Sequence, residues 1–144
     1  MKRMIKLAES YIGQAEIRLK FAIEAFKFGN YPYALRLSQE CVELSLKAAL
    51  RIIGIEYPKV HDVSDIILDF KDKFPEWFRS EINFMAKVST ILAGKREIAF
   101  YGGEAEFLTP EELISKSEAE EAIEWARKIF EYCRKLLLYA KKNI

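Results

Sequence analysis

Histidine is almost missing from this 144-residue chain, which holds one, His61, and only two cysteines, Cys41 and Cys133. That supply leaves no His/Cys cluster with metal-ligand spacing, so a zinc or transition-metal site is not expected, and no cofactor either. Both cysteines fall at apolar positions of helical patterns. With no cysteine framework and no signal-peptide pattern, they read as small core residues of a cytoplasmic protein. No apolar run approaches the roughly 20 residues that span a bilayer, so no membrane partner is expected. There is no P-loop, no GxGxxG and no Ser/His/Asp set, which removes the usual motifs for nucleotide hydrolysis, hydride transfer and acyl transfer. Strand-period segments, hairpin signals, internal repeats and low-complexity tracts are absent too. Glutamine and asparagine are sparse beside abundant Lys, Glu and Ile, a composition like that of heat-adapted proteins.

Excess charge is also lacking. Twenty-three basic against 22 acidic side chains leave a net charge of +1, which argues against a general nucleic-acid coat protein but not against a local basic site. The charges are unevenly spread. Residues 1–30 carry six basic and three acidic groups, and residues 127–142 carry six and one, whereas residues 104–124 hold eight glutamates against one lysine. Two readings are open: solvated helix faces with dipole complementarity, or basic ends that attract a phosphate-bearing partner.

What the chain does have is hydrophobic content of 51% beside 31% charged residues, enough to fold around one core as a single domain over 1–144. Helical periodicity dominates. Met4, Ala8, Tyr11, Ala15, Leu19, Ala22 and Phe26 form one stripe, ended by Phe28-Gly29-Asn30. Pro32 then suits the first turn of a second helix over about 31–53, apolar on most of its circumference and expected to be central. Its one charged stripe is Arg36, Glu40, Glu43, Lys47 and Arg51, in which Arg36–Glu40 and Glu43–Lys47 are i,i+4 pairs. Gly54 closes it. A short helix is expected from about Asp62 and a longer one from about Glu76 to Phe100, where Ile82, Met85, Ser89, Leu92, Arg96 and Ala99 share a line. Gly102-Gly103 ends that helix. Thr109-Pro110-Glu111-Glu112 opens a further short helix, and Ser117 with Glu120 reads as a capping box for the last. The fold class expected is all-α, an up-and-down bundle of four main helices plus one or two short ones.

The stretch GNYPYALRLSQECVELSLKAALRIIGIEYPKVHDVSDII resembles the HEPN domain family (higher eukaryotes and prokaryotes nucleotide-binding). The resemblance rests on Gly29 and Tyr31, then Glu43, Lys47 and Ala48, then Gly54, then His61 and Asp62, in that order and spacing. It implies a four- or five-helix bundle that forms a homodimer. It also implies a partner, since many members pair with a minimal nucleotidyltransferase in a toxin–antitoxin system. In such pairs the HEPN protein resembles a metal-independent endoribonuclease, with an Arg-x4-6-His motif brought together in a dimer cleft.

That motif falls on KREIAFYGGE. Arg96 stands at the arginine position and Glu97 at the polar position after it, but Tyr101 takes the place of the histidine. The departure matters because metal-free RNA cleavage needs a base for the 2′-OH proton. Histidine, with a pKa near 6.5, serves at neutral pH far better than tyrosine near 10. The expected ligand-binding set is Arg96, Glu97, Tyr101, Glu43 and Lys47, with Arg96 and Tyr101 as the catalytic candidates. For Arg96 three roles are open: a helix C-terminal cap or an intersubunit salt bridge with Glu97 or Glu104, a phosphate ligand in a dimer cleft, or a catalytic group. Tyr101 packs at the helix end, contacts nucleotide or RNA, or is the hydroxyl that a nucleotidyltransferase partner modifies. The ligand-binding role favours an interaction module; the alternative is a ribonuclease with a variant Arg-x4-Tyr motif. Two readings are open for His61: a residue that fixes the turn, with Asp62 as the expected helix N-cap, or a group that titrates in catalysis.

Overall fold

The apolar periodicities become four long helices in a computed structural model that describes residues 2–143. They are α1 (Lys2–Lys27), α2 (Tyr31–Ile52), α5 (Ile82–Tyr101) and α7 (Lys116–Lys142). Between them lie three short ones, α3 (Ser64–Asp69), α4 (Glu76–Arg79) and α6 (Pro110–Leu113), and a 3-10 turn at Lys71–Lys73. Among the described residues the only β-type pairing is an isolated bridge between Gly103 and Leu108.

The turn from α1 to α2 follows its sequence signals. Gly29 takes φ +80°, and the Gly29 and Asn30 N–H groups donate to the carbonyls of Phe26 and Ala25, both at 2.9 Å. The Asn30 side chain accepts from the Tyr33 N–H at 3.2 Å, capping α2 with Pro32 in its first turn. As its apolar circumference required, α2 is central: it packs on α1, α5 and α7, and its buried set includes Leu35, Cys41, Val42, Leu46, Ala49 and Leu50. Arg36 meets Phe100, and Gln39 meets Arg96, so α5 runs antiparallel to α2. The ion pairs Lys95–Glu118 and Lys128–Glu81 place α7 antiparallel to α5. Burial pushes the Cys41 thiol up to about 12 and the Cys133 thiol well above its usual value, so both are inert core groups.

Three details differ from the sequence reading. On α1 the core takes Ile5, Ile12 and Ala25, while Met4, Tyr11 and Phe26 are half-buried; the shared residues Ala8, Ala15, Leu19 and Ala22 hold the stripe, rotated slightly. Residues 76–79 form their own helix because a turn at Ser80–Glu81 lets both Phe78 and Ile82 reach the core. Phe78 stacks on Phe74 at 4.7 Å there. The capping box of α7 is Ser115 with Glu118, two residues earlier than Ser117 and Glu120, since Ile114 is already anchored in the core. The Thr109 cap of α6 is as expected, with its hydroxyl accepting from the Glu112 N–H at 3.2 Å.

Candidate functional site

The charged stripe of α2 faces the C-terminal half of α5, and this is where the polar side chains of the bundle converge. Arg96 projects from α5 toward α2 with its side chain 28% exposed. Its Nη1 donates to Gln39 Oε1 at 2.6 Å and lies 3.8 Å from Glu40. Two more guanidiniums meet the same carboxylate: Arg18 of α1 at 3.1 Å and Arg36 at 3.3 Å. Three guanidiniums thus share one carboxylate, so none of them is satisfied by an exclusive ion pair. The Arg36 Nε is buried without a hydrogen-bond partner, and its guanidinium lies 4.1 Å from the centre of the Phe100 ring. Within the chain these contacts, and not a cap on its own helix, hold Arg96.

A second chain of contacts starts at Gln39, whose Nε2 donates to Glu43 Oε1 at 3.0 Å. Glu43 is 14% exposed, pairs with Lys47 at 2.8 Å and accepts from His61 Nδ1 at 2.9 Å. Burial acts to raise its pKa, but the hydrogen bonds from Lys47, Gln39 and His61 and the Lys47 charge outweigh it, and the carboxyl titrates below its ordinary 4.5. Glu43 is therefore ionised at neutral pH and acts as an acceptor, not a proton donor. An ionised carboxylate can only accept, so the proton of His61 sits on Nδ1 and leaves Nε2 available when the ring is neutral.

His61 is 56% exposed and belongs to the loop between α2 and α3. Its neighbour Asp62 organises that loop, accepting from the Ser64 N–H and the Ser89 hydroxyl, both at 2.9 Å, and from the Thr90 hydroxyl at 3.1 Å. Burial would raise the Asp62 pKa, and these bonds bring it below its ordinary 3.8 instead. The Asp62 turn ties the loop to α5 and presents His61 beside Arg96.

The result is a groove of about 390 Å³ lined by His61, Ala93, Arg96, Glu97, Phe100 and Tyr101. A smaller hollow lined by Arg18, Glu40, Glu43, Leu44, His61 and Arg96 adjoins it. Of the residues expected from sequence, Arg96, Glu97 and Tyr101 share the groove. Glu43 reaches it through His61 and lines the adjoining hollow, whereas Lys47 stands one contact further back, beside Tyr57. Tyr101 is 57% exposed, with its ring 4.4 Å from that of Phe100. Sequence reasoning did not place Gln39, Arg18 or His61 in the site. The signal for Gln39 was its four-residue step to Glu43, and that for His61 its place beside Asp62 in the family resemblance; Arg18 left none, because helix packing brings it in.

The comparisons with known proteins fit this geometry. The chain is 28% identical over 141 residues to a candidate toxin of Methanocaldococcus jannaschii, an alignment covering 92% of this chain and 90% of the relative. It is similar to the crystal structure of an archaeal HEPN homologue, with a TM-score of 0.66, 27% identity, and coverage of 90% of this chain and 97% of the other. A Thermus thermophilus protein shares the fold at a TM-score of 0.69 and 22% identity, with the same coverage. The profile of the HEPN domain matches residues 8–136, a span from the first turns of α1 almost to the end of α7 that takes in the whole Arg96–Gln39–Glu43–His61 chain. With fold and profile in agreement, this chain belongs to the HEPN domain family.

Proposed function

We propose that this HEPN-domain protein is a homodimeric binding module of a toxin–antitoxin-type pair, partnered by a minimal nucleotidyltransferase, whose Arg96 groove takes a phosphate of a nucleotide or RNA. The observation that carries the phosphate reading is the gathering of Arg18, Arg36 and Arg96 around the single carboxylate of Glu40. Guanidiniums are suited to bidentate phosphate contacts, and Arg36 and Arg96 lie beside the aromatic wall of Phe100 and Tyr101, on which a base can stack. Similarity to a candidate toxin supports the toxin–antitoxin context. The exposed rings of Phe100, Tyr101 and Phe107 supply an apolar surface for a second copy to cover.

Titrating the protein with ATP tests the phosphate reading. Saturable binding that weakens at least tenfold in Arg96→Ala is expected, and no binding at millimolar concentration would sink it. Sedimentation showing a monomer at micromolar concentration would remove the homodimer. Failure of a co-expressed small nucleotidyltransferase from the same genome to co-purify would remove the partner.

A second reading, metal-independent RNA cleavage, is favoured by one observation: His61, held by ionised Glu43, lines the same groove as Arg96. A neutral Nε2 there supplies the base that Tyr101 cannot. Cleavage of labelled RNA in EDTA, lost in both His61→Ala and Arg96→Ala, is the outcome that establishes it; intact RNA leaves the module reading alone.

A further inference from the structure

The basic C-terminal stretch is not absorbed by the Arg96 groove. On α7, Lys128, Tyr132, Lys135, Tyr139 and Lys142 recur at steps of four, three, four and three, so cations and rings alternate along one face. Trp77 of α4 lies against this face. Its ring is stacked with Tyr132 at 6.4 Å and edge-on to Tyr139 at 6.2 Å. Tyr132 is partly buried against the core, but the outer two rings are open: Trp77 is 38% exposed and Tyr139 47%. Lys135 lies 5.6 Å from the centre of the Tyr132 ring, and Lys128 lies 4.5 Å from that of Phe84. The carboxylates nearby are few. Glu81 pairs with Lys128 at 3.0 Å, Glu131 pairs with Arg134 at 2.9 Å, and Glu76 precedes Trp77. Lys135 and Arg79 form no ion pair among the described residues.

We propose that this face, Trp77 with the Lys–Tyr row of α7, is a stacking platform for single-stranded RNA. Exposed rings held in place by a helix offer flat surfaces to unpaired bases, and lysines between them meet the phosphates. A duplex keeps its bases stacked on each other and cannot use the rings. A second copy is disfavoured because two lysine rows facing across a two-fold axis repel. A lipid surface is disfavoured because lysines interrupt the rings, and Leu138 is the one large aliphatic of α7 that is exposed among the described residues. The platform stands apart from the groove and does not require it. Phe84 and Arg96 are twelve residues apart on α5, about 18 Å along its axis.

Trp77 reports on its own occupancy once the other tryptophan is removed by Trp125→Phe. In that background a short oligouridylate is expected to quench the fluorescence saturably, with affinity falling as salt rises. The double variant Tyr139→Ala/Lys135→Ala, both positions exposed, is expected to weaken binding about tenfold or more. Arg96→Ala is expected to leave the quenching unchanged. The proposal is overturned if oligouridylate does not quench Trp77, if the double variant binds equally well with its circular dichroism intact, or if an RNA duplex of equal length competes equally. It is also overturned if vesicles of phosphatidylserine and phosphatidylcholine quench while RNA does not, or if Tyr139→Ala converts a dimer to a monomer, marking the face as a self-interface.

Discussion

The two halves of α5 solve different problems with the same backbone. From Ile82 to Leu92 the helix is core: Ile82, Met85, Ala86, Val88, Ser89 and Leu92 are buried. From Ala93 to Tyr101 only Ala99 is buried, and the helix is held by side-chain contacts to α2 and α7: Arg96 to Gln39 and Glu40, Phe100 to Arg36, Lys95 to Glu118. Apolar burial stabilises in proportion to area and tolerates no ligand, whereas half-exposed charges contribute little to stability and can exchange partners. The groove lies along the second half for that reason. Its groups can turn toward a phosphate without opening the core.

If that contrast holds, Leu92→Ala should be the most damaging single change, costing about 3 kcal/mol in chemical denaturation through the cavity it leaves. A loss below about 1 kcal/mol would mean the first half is not the anchor. Gly102→Ala comes next, at about 2 kcal/mol. Gly102 adopts φ +74°, and a Cβ there would lie 2.2 Å from the Leu108 carbonyl oxygen. Because this change acts at the groove end, it should also weaken any ligand held by Arg96, measured in the same titration as wild type.

Acidification sharpens the comparison by acting on the loop and stripe that frame the groove. Glu43 and Asp62 have folded pKa values below their ordinary 4.5 and 3.8. The unfolded chain therefore binds more protons in acid, so their stabilisation is full above those ordinary values and is lost as pH falls through the lower folded ones. Thermal melts in a pH series should show a falling midpoint below about pH 4.5. In Glu43→Gln that fall should be shallower, and an unchanged slope would count against Glu43 being held ionised by its neighbours. The smallest stability effect should belong to Arg96→Ala, under about 1 kcal/mol, even though the proposed ligand binding should weaken at least tenfold. A large loss of stability there would make Arg96 structural and erase the distinction between the halves.

Much of this protein was legible in its residues. The steps of three and four fixed all four long helices, Gly29, Pro32, Gly54 and Gly102 marked their ends, and the pairs Arg36–Glu40 and Glu43–Lys47 formed as the four-residue step requires. The short elements were read less well. The turn at Ser80–Glu81 and the start of α7 at Ser115 depend on which apolar side chains, Phe78, Ile82 and Ile114, reach the core. That is a property of the packed bundle.

The site divides along the same line. By itself the sequence determined that Arg96 lies on a core-facing line of its helix. That follows from local order: backbone geometry over a few turns depends on residues within those turns. Only the tertiary structure decided what Arg96 touches. Gln39 is 57 residues away in the chain and His61 is 18 from Glu43, so neither contact has a periodic signature. They exist because α2 and α5 pack antiparallel and the Asp62 turn pins its loop to Ser89 and Thr90. Through that packing the one histidine of the chain stands in the Arg96 groove.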